Sequence, residues 1–429
     1  MTDRAWGFRT RALHAGGQPD ATTGARAVPI YQTTSYVFDD TEDAADLFSL
    51  QKFGSIYTRI SNPTTAALEE RLASLEGGIG AVATASGQAA EFLAVTTLAG
   101  AGDHIVASSG LYGGTYTLFD VTLRKLGIET TFVDGSDPEN FARAVRDSTK
   151  LFYTETIANP SGAIADLATL SGFAHDAGVP LVVDNTFGTP FLCRPIEHGA
   201  DIVLHSVTKF LGGHGNSIGG AVIDSGRFDW GQGRFVGFTE PTASYNGLRF
   251  WENFGEYAFC MKLRVEGLRD VGACLSPINA FLLLQGIETL PQRMTAHVDN
   301  AQQVARWLAA HDRVAWVNYG GLPDSPHRPL AEKYFPDGPG AIFTFGVKGG
   351  REGGRKLIEH LEMISHLANV GDARTLIIHP ASTTHQQLSD EQLAASGVGA
   401  DMVRLSVGLE DLDDILWDLD QALAQTEGA

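Results

Sequence analysis

Ile202-Val203-Leu204-His205-Ser206-Val207-Thr208-Lys209-Phe210-Leu211-Gly212-Gly213 sets an apolar run, patterned like a buried strand, directly before a single lysine flanked by hydroxyls and glycines. Burial disfavours a lysine's charged form and lowers its pKa, which suits an amine that condenses with an aldehyde. Ser206 and Thr208 alternate with Val207, so on an extended backbone both hydroxyls face one side and can meet one oxyanion. An aldehyde that also carries a phosphate satisfies both demands, and pyridoxal 5'-phosphate is such a molecule. A solvated surface lysine would show the same neighbours, and this stretch alone does not separate the two.

A second stretch does. Leu181-Val182-Val183-Asp184-Asn185-Thr186-Phe187-Gly188 is an apolar strand that ends in an acid, 25 residues before Lys209. Pyridoxal chemistry needs a carboxylate against the ring nitrogen, and open α/β sheets collect their ligands at the C-terminal edge of the strands. A loop or capping aspartate is the alternative for Asp184 taken singly. Further apolar runs at Ile105-Val106-Ala107, Thr131-Phe132-Val133 and Leu151-Phe152-Tyr153-Thr154 recur about every 20 to 30 residues with helical stretches between them, the rhythm of βα units in a mostly parallel sheet whose strands end at one edge.

The 429 residues, 43% of them hydrophobic, are ample for two domains. A net charge of -20 argues against nucleic acid or anionic membrane as partner. Cys193, Cys260 and Cys274 show neither disulfide nor metal spacing and fit buried thiols in a reducing compartment. With no apolar leader and no run of membrane-spanning length, the expected location is the cytoplasm.

Residues 1–63 alternate turn-formers with short apolar clusters and read as an arm. It ends in Ile56-Tyr57-Thr58-Arg59-Ile60-Ser61-Asn62-Pro63, where spacing alone favours a surface arginine. Leu68, Leu72 and Leu75 then mark a helix capped by Asn62 or Thr64 and stopped at Gly77-Gly78. Ala81-Val82-Ala83-Thr84-Ala85-Ser86-Gly87-Gln88 turns from an apolar run into a helix N-terminus, a place where backbone N–H groups can receive phosphate. Tyr112 lies among glycines in Leu111-Tyr112-Gly113-Gly114, as core packing or as a ligand contact. Asn159-Pro160 is a turn signal. Beyond a strand at Ile218 to Ile223, the aromatic-rich Gly231 to Asn253 is a long loop with enough apolar content to be ordered. Helices over 258–268 and 282–308 bridge to a smaller C-terminal domain with strands at 341–347 and 403–407 and helices at 354–367 and 411–423. Arg404 stands on the apolar strand Val403-Arg404-Leu405-Ser406-Val407, as a snorkelling edge residue or a fork for a carboxylate. The expected division is 1–63, 64–268 and 269–429.

From about Thr10 to Glu410 these motifs resemble the Cys/Met-metabolism family of pyridoxal-phosphate enzymes, which includes cystathionine synthases and lyases, methionine lyases and homoserine-ester sulfhydrylases. The resemblance implies the fold type I, PLP-dependent transferase-like architecture: an α/β large domain and a smaller α/β C-terminal domain. It implies Lys209 as the cofactor-bearing base, Asp184 at the ring nitrogen, and Ser206, Thr208, Gly87 and Gln88 at the phosphate. Tyr112 would stack on the ring and assist the leaving group, Asn159 would lie near the ring hydroxyl, and Arg404 would take the substrate carboxylate with Asn369 and Tyr57 nearby. Tyr57 and Arg59 would reach the phosphate of a neighbouring subunit, making dimerisation a condition of catalysis within the family's usual assembly of two dimers, a homotetramer.

Two departures choose the branch. Cystathionine enzymes typically carry a glutamate where Ser365-His366-Leu367-Ala368-Asn369-Val370-Gly371-Asp372-Ala373-Arg374 places Arg374, and methionine lyases a cysteine where this chain has Gly114. The resemblance therefore implies γ-replacement of acetate on O-acetylhomoserine by sulfide, giving homocysteine for methionine biosynthesis, with methanethiol as a second nucleophile left open. An O-succinyl ester, cystathionine synthesis and γ-elimination are the alternatives. His366, His379 and His385 are not at zinc spacing and are expected solvated or hydrogen-bonded.

Overall fold

The computed structural model describes residues 5–383 and 399–426. Among these, one seven-stranded sheet holds β1 (Gly80–Thr84), β2 (His104–Ser108), β3 (Glu129–Val133), β4 (Thr149–Glu155), β5 (Leu181–Asp184), β6 (Ile202–Ser206) and β7 (Gly220–Asp224) in the order β1-β7-β6-β5-β4-β2-β3. Strands β2 to β6 pair in parallel, so β4, β5 and β6 end together at one edge. β7 alone runs antiparallel, between β6 and β1. The link from β6 to β7 contains no helix to carry the chain back across the sheet, and without that crossover the next strand returns in the opposite sense.

Both faces of the sheet are covered, which is why its strands read as unbroken apolar runs. Val183 and Val203 face one core, and Val182, Ile202 and Leu204 face the other. The helix Pro63–Glu76 packs against the first face; Asn62 Oδ1 accepts the Thr64 N–H at 2.9 Å, which assigns the cap to Asn62, and Gly77 ends the helix at φ 82°.

The second sheet has five strands, β8 (Val314–Asn318), β9 (Ile342–Val347), β10 (Ser365–His366), β11 (Leu376–Ile378) and β12 (Met402–Ser406), in the order β10-β11-β12-β9-β8. Two expected helices are corrected here. The span 282–308 belongs to two helices, Pro277–Glu288 and Leu290–Ala309, broken at Thr289 where Pro291 opens the second. The helix expected over 354–367 occupies Gly350–Glu359 instead. Beyond it the Asp418 carboxylate accepts the N–H groups of Glu362, Met363 and Ile364 at 2.8, 3.0 and 2.8 Å, so these donors are satisfied by a distant partner and the chain turns into β10.

The stretch 231–253 is ordered around short helical turns, with Trp230, Phe235, Phe238 and Phe250 buried. His379 is buried and bonded to Ser382 and Ala400, whereas His385 lies outside the described residues. Among the described residues no helix is long and apolar enough to cross a membrane, and no group of three or more His, Cys, Asp or Glu is placed to hold a metal ion.

Candidate active site

The site forms where β4, β5 and β6 end. β6 stops at Ser206, and Val207 to Phe210 form a turn, so the extended backbone expected to align Ser206 with Thr208 does not exist. Ser206 instead faces Gly87: a Cβ built on Gly87 would lie 2.8 Å from the Ser206 Cβ, an approach open only to glycine. Thr208 Oγ1 donates to the Gly219 carbonyl at 3.1 Å and accepts the Gly219 N–H at 3.0 Å, which ties its hydroxyl to the start of β7. In the helix Gly87–Leu98, Ser86 Oγ caps Ala89 and the Ser86 carbonyl takes Ala90. The N–H groups of Gly87 and Gln88 have no acceptor among the described residues, and they stand beside Ser206 as donors for an anion.

Lys209 projects from the turn and its Nζ donates to Asn369 Oδ1 at 2.5 Å. Burial, assisted by the positive charge of Arg404, holds its pKa below the usual lysine value, so the amine is the more readily neutral and nucleophilic. The Asn369 segment comes this close because Gly371 adopts φ 73°, where a Cβ would sit 2.6 Å from the Phe210 nitrogen. Arg404 donates through Nη1 to Asn159 Oδ1 at 3.0 Å and through Nη2 to the Asn369 carbonyl at 3.4 Å. Burial lowers its pKa to about 10, which leaves it a cation at neutral pH. A lysine, an arginine fork and two asparagine amides thus converge from both sheets.

Asp184 ends β5 at the same sheet edge, with two further acids near it that the sequence did not single out. Glu155 is its register partner on β4, and Glu155 Oε1 accepts the Tyr112 N–H at 2.6 Å. Glu91 accepts from Thr115 Oγ1 at 3.0 Å and Gln88 Nε2 at 2.8 Å. Burial and then the charge of Asp184 push Glu155 well above the carboxylate range and Glu91 up to about 8. Asp184 also rises by burial, but the Thr186 hydrogen bonds and the nearby His205 oppose the rise. The available signal was an acid embedded in apolar sequence, Phe152-Tyr153-Thr154-Glu155 and Ala89-Ala90-Glu91-Phe92-Leu93. A third buried acid, Glu76, binds His205 Nε2 at 2.5 Å and Asn185 Nδ2 at 2.9 Å.

Tyr112 stands at the rim with its ring half exposed, directly before the short helix Gly113–Thr117. A Cβ on Gly114 would fall 2.4 Å from that ring. Tyr57 and Arg59 are not brought into this group within the chain. The Arg59 guanidinium lies 5.5 Å over the Tyr57 ring and donates to the Arg269 carbonyl, and Tyr57 is exposed.

The chain is 57% identical to an O-acetyl-L-homoserine sulfhydrylase of Leptospira meyeri, over 96% of each chain. It is 52% identical to a homocysteine synthase of Schizosaccharomyces pombe, over 97% of this chain and 98% of that one. A crystal structure from Campylobacter jejuni, titled an O-acetylhomoserine (thiol)-lyase with a pyridoxyl-lysine monophosphate, superposes with a TM-score of 0.94 at 39% identity, covering 98% of this chain and all of that one. Residues 9–424 match the model of the Cys/Met metabolism PLP-dependent enzymes, and the chain belongs to that family.

Proposed function

We propose that the protein exchanges the acetate of O-acetyl-L-homoserine for sulfide, releasing homocysteine and acetate. The observation that carries the proposal is the convergence of a pKa-lowered Lys209, the Arg404 fork and Asp184 at one sheet edge, in a chain so close to named sulfhydrylases.

The residues present fit pyridoxal phosphate. Gly87 and Gln88 offer N–H groups beside Ser206, in a cradle that a Cβ at Gly87 would fill. Asp184 would face the ring nitrogen, Asn159 the ring hydroxyl and Tyr112 the ring itself, while Lys209 would bear the aldehyde. Thr208 would join at the phosphate by turning its hydroxyl from Gly219. When bound, the cofactor supplies an electron sink for the charge left at the substrate's Cα.

Arg404 and the Asn369 segment receive the substrate carboxylate, the guanidinium exchanging its hydrogen bond to Asn159 for a two-oxygen contact. Lys209, neutral when its pKa is low, takes the proton from Cα and would pass it to the bound cofactor, so that the amine, neutral again, takes a second from Cβ as acetate leaves Cγ. After hydrosulfide has joined Cγ, Lys209 returns one proton to Cβ and, once the other has come back to it, one to Cα. Gly114 leaves room for the Tyr112 ring beside the departing ester, and the side chain of Arg374, largely exposed, offers no acid to recruit an amino-acid thiol.

Tyr57 and Arg59 would complete the phosphate site of a second copy, with residues 1–63 as the arm that crosses, 64–268 as the cofactor-binding domain and 269–429 as the small domain. Exposed Val37, Phe48 and Phe53 on that arm support an interface there. Pairing of two such dimers would give a tetramer, and a cytoplasmic location would suit small-molecule substrates of this kind.

Cofactor-loaded protein is to be given sulfide with O-acetyl- or O-succinylhomoserine and homocysteine quantified, with Lys209→Ala as control. Preference for the acetyl ester, lost in the variant, is the expected result. Preference for the succinyl ester, or cystathionine from cysteine with no homocysteine from sulfide, overturns it.

A further inference from the structure

The aromatic stretch 231–253 takes no direct part in the site, yet its polar contacts lead to Arg59. Trp230 stacks on Phe238 and Phe259, with centroids at 4.9 and 5.3 Å, which anchors the stretch to the helical segment that follows it. The Thr242 N–H bonds to the Leu248 carbonyl at 2.8 Å and the Gly247 N–H to the Thr242 carbonyl at 2.9 Å, closing a loop with Tyr245 inside it. Asn246 and Gly247 turn the chain through φ 53° and 85°, the left-handed region that Asn and Gly tolerate best. The loop therefore presents one phenol in a defined place.

That phenol makes two contacts. Tyr245 Oη donates to the Val265 carbonyl at 2.8 Å, in the π-helical turn Leu263–Leu268, and accepts from Arg269 Nη1. The Arg269 guanidinium also lies 5.0 Å over the Tyr245 ring. On the same residue, the Arg269 carbonyl accepts from Arg59 Nη1. The same segment holds the neighbouring backbone: Arg264 donates to the Ile60 carbonyl at 3.0 Å and to Glu69 at 2.8 Å. Arg59 is thus held by the backbone of a segment that Tyr245 fixes from the other side, and the rest of its donor fork remains for an oxyanion.

We infer that Tyr245 is a positioning residue for the cofactor phosphate, acting through Arg269 on Arg59. The inference rests on the assignment of Arg59 to the phosphate made under the proposed function. Its chemistry gives a direct discriminator, because pyridoxal shares the aldehyde and the ring with pyridoxal phosphate but lacks the group that Arg59 would bind.

Dissociation constants for pyridoxal phosphate and for pyridoxal are to be measured on the full-length oligomer for the parent, Tyr245→Phe, Arg269→Leu and Arg59→Ala. Tyr245→Phe keeps the ring and removes the two hydroxyl contacts. We expect roughly fivefold or greater weakening for pyridoxal phosphate, consistent with loss of hydrogen bonds of this kind, and no change for pyridoxal. Arg269→Leu is expected to show the same phosphate-specific loss. Equal weakening for both ligands would mark a merely structural role and overturn the inference, as would no weakening for either. If Arg59→Ala shows the phosphate-specific loss and Tyr245→Phe does not, the inference alone fails. If Arg59→Ala shows none, the assignment of Arg59 fails and takes the inference with it.

Discussion

Glu155 and Asp184 are register partners at the ends of β4 and β5, so their carboxyl groups leave the same face of the sheet side by side. Two buried acids this close do not both ionise readily. Thr186 donates its N–H to Asp184 Oδ1 at 2.8 Å and His205 adds favourable charge, while Glu155 is raised well above the usual range. The negative charge therefore settles on Asp184 and the proton on Glu155. Glu155→Gln, which mimics the protonated acid and keeps an acceptor for the Tyr112 N–H, is expected to hold kcat/KM within about threefold, whereas Asp184→Asn loses roughly a hundredfold or more. Homocysteine release under sulfide saturation checks both; similar losses in the two variants would place charge on Glu155 as well.

Glu91 gives a pH signature. Below about pH 4.5, its ordinary value, folded and unfolded chains both carry the proton and burial costs nothing in linkage. As the pH rises toward about 8, the unfolded chain releases that proton and the folded chain keeps it, so this group's contribution to stability is progressively lost. Glu91→Gln removes the effect. Its stability relative to the parent is expected to climb from pH 5 to pH 8 by on the order of a few kcal/mol, read from denaturant unfolding of the cofactor-free chain at several pH values. A constant difference across that window would show that Glu91 does not hold its proton.

The acids explain what was legible in the sequence and what was not. Asp184 announced itself because it closes an apolar strand and Lys209 because it follows one within a few residues, and the same strands marked the parallel sheet. Glu155 closes such a strand too, one residue beyond the apolar run Leu151-Phe152-Tyr153-Thr154. Its partners, Tyr112 and Asp184, are separated from it by 43 and 29 positions, so no local pattern reveals them. The end of the Gly350–Glu359 helix was hidden for the same reason, since the carboxylate that receives the next N–H groups is Asp418. The Thr208 hydroxyl was misplaced because alternation holds only while the backbone stays extended, and β6 stops at Ser206.

Gly114 tests the placement of Tyr112. A Cβ there would lie 2.4 Å from Cε1 and 3.1 Å from Cζ of the ring, so the half-exposed ring must swing outward to accept Gly114→Ala. Alanine in place of glycine within the Gly113–Thr117 helix costs no helical stability and tends to raise it. The variant is expected to unfold at or above the parent's temperature while kcat falls roughly ten- to a hundredfold, the scale of a misplaced catalytic group. Thermal unfolding and turnover measured on one preparation separate the two effects, and unchanged turnover would remove Tyr112 from the chemistry.

Arg404 tests recognition apart from chemistry. Its two terminal nitrogens reach Asn159 and the Asn369 carbonyl at once, a geometry that one ammonium group cannot reproduce. Arg404→Lys retains the charge and loses the fork. If Arg404 binds the carboxylate equally in the bound substrate and in the transition state, KM for the homoserine ester rises roughly tenfold or more while kcat stays within about threefold. Arg404→Leu, which removes the charge as well as the fork, also relieves Lys209 of a neighbouring cation that helps lower that amine's pKa. The acidic limb of the kcat profile is therefore expected to move to higher pH, since a more basic Lys209 must lose its proton before it can take one from Cα. A raised KM with an unmoved limb would confine Arg404 to binding; an unchanged KM would remove it from carboxylate recognition.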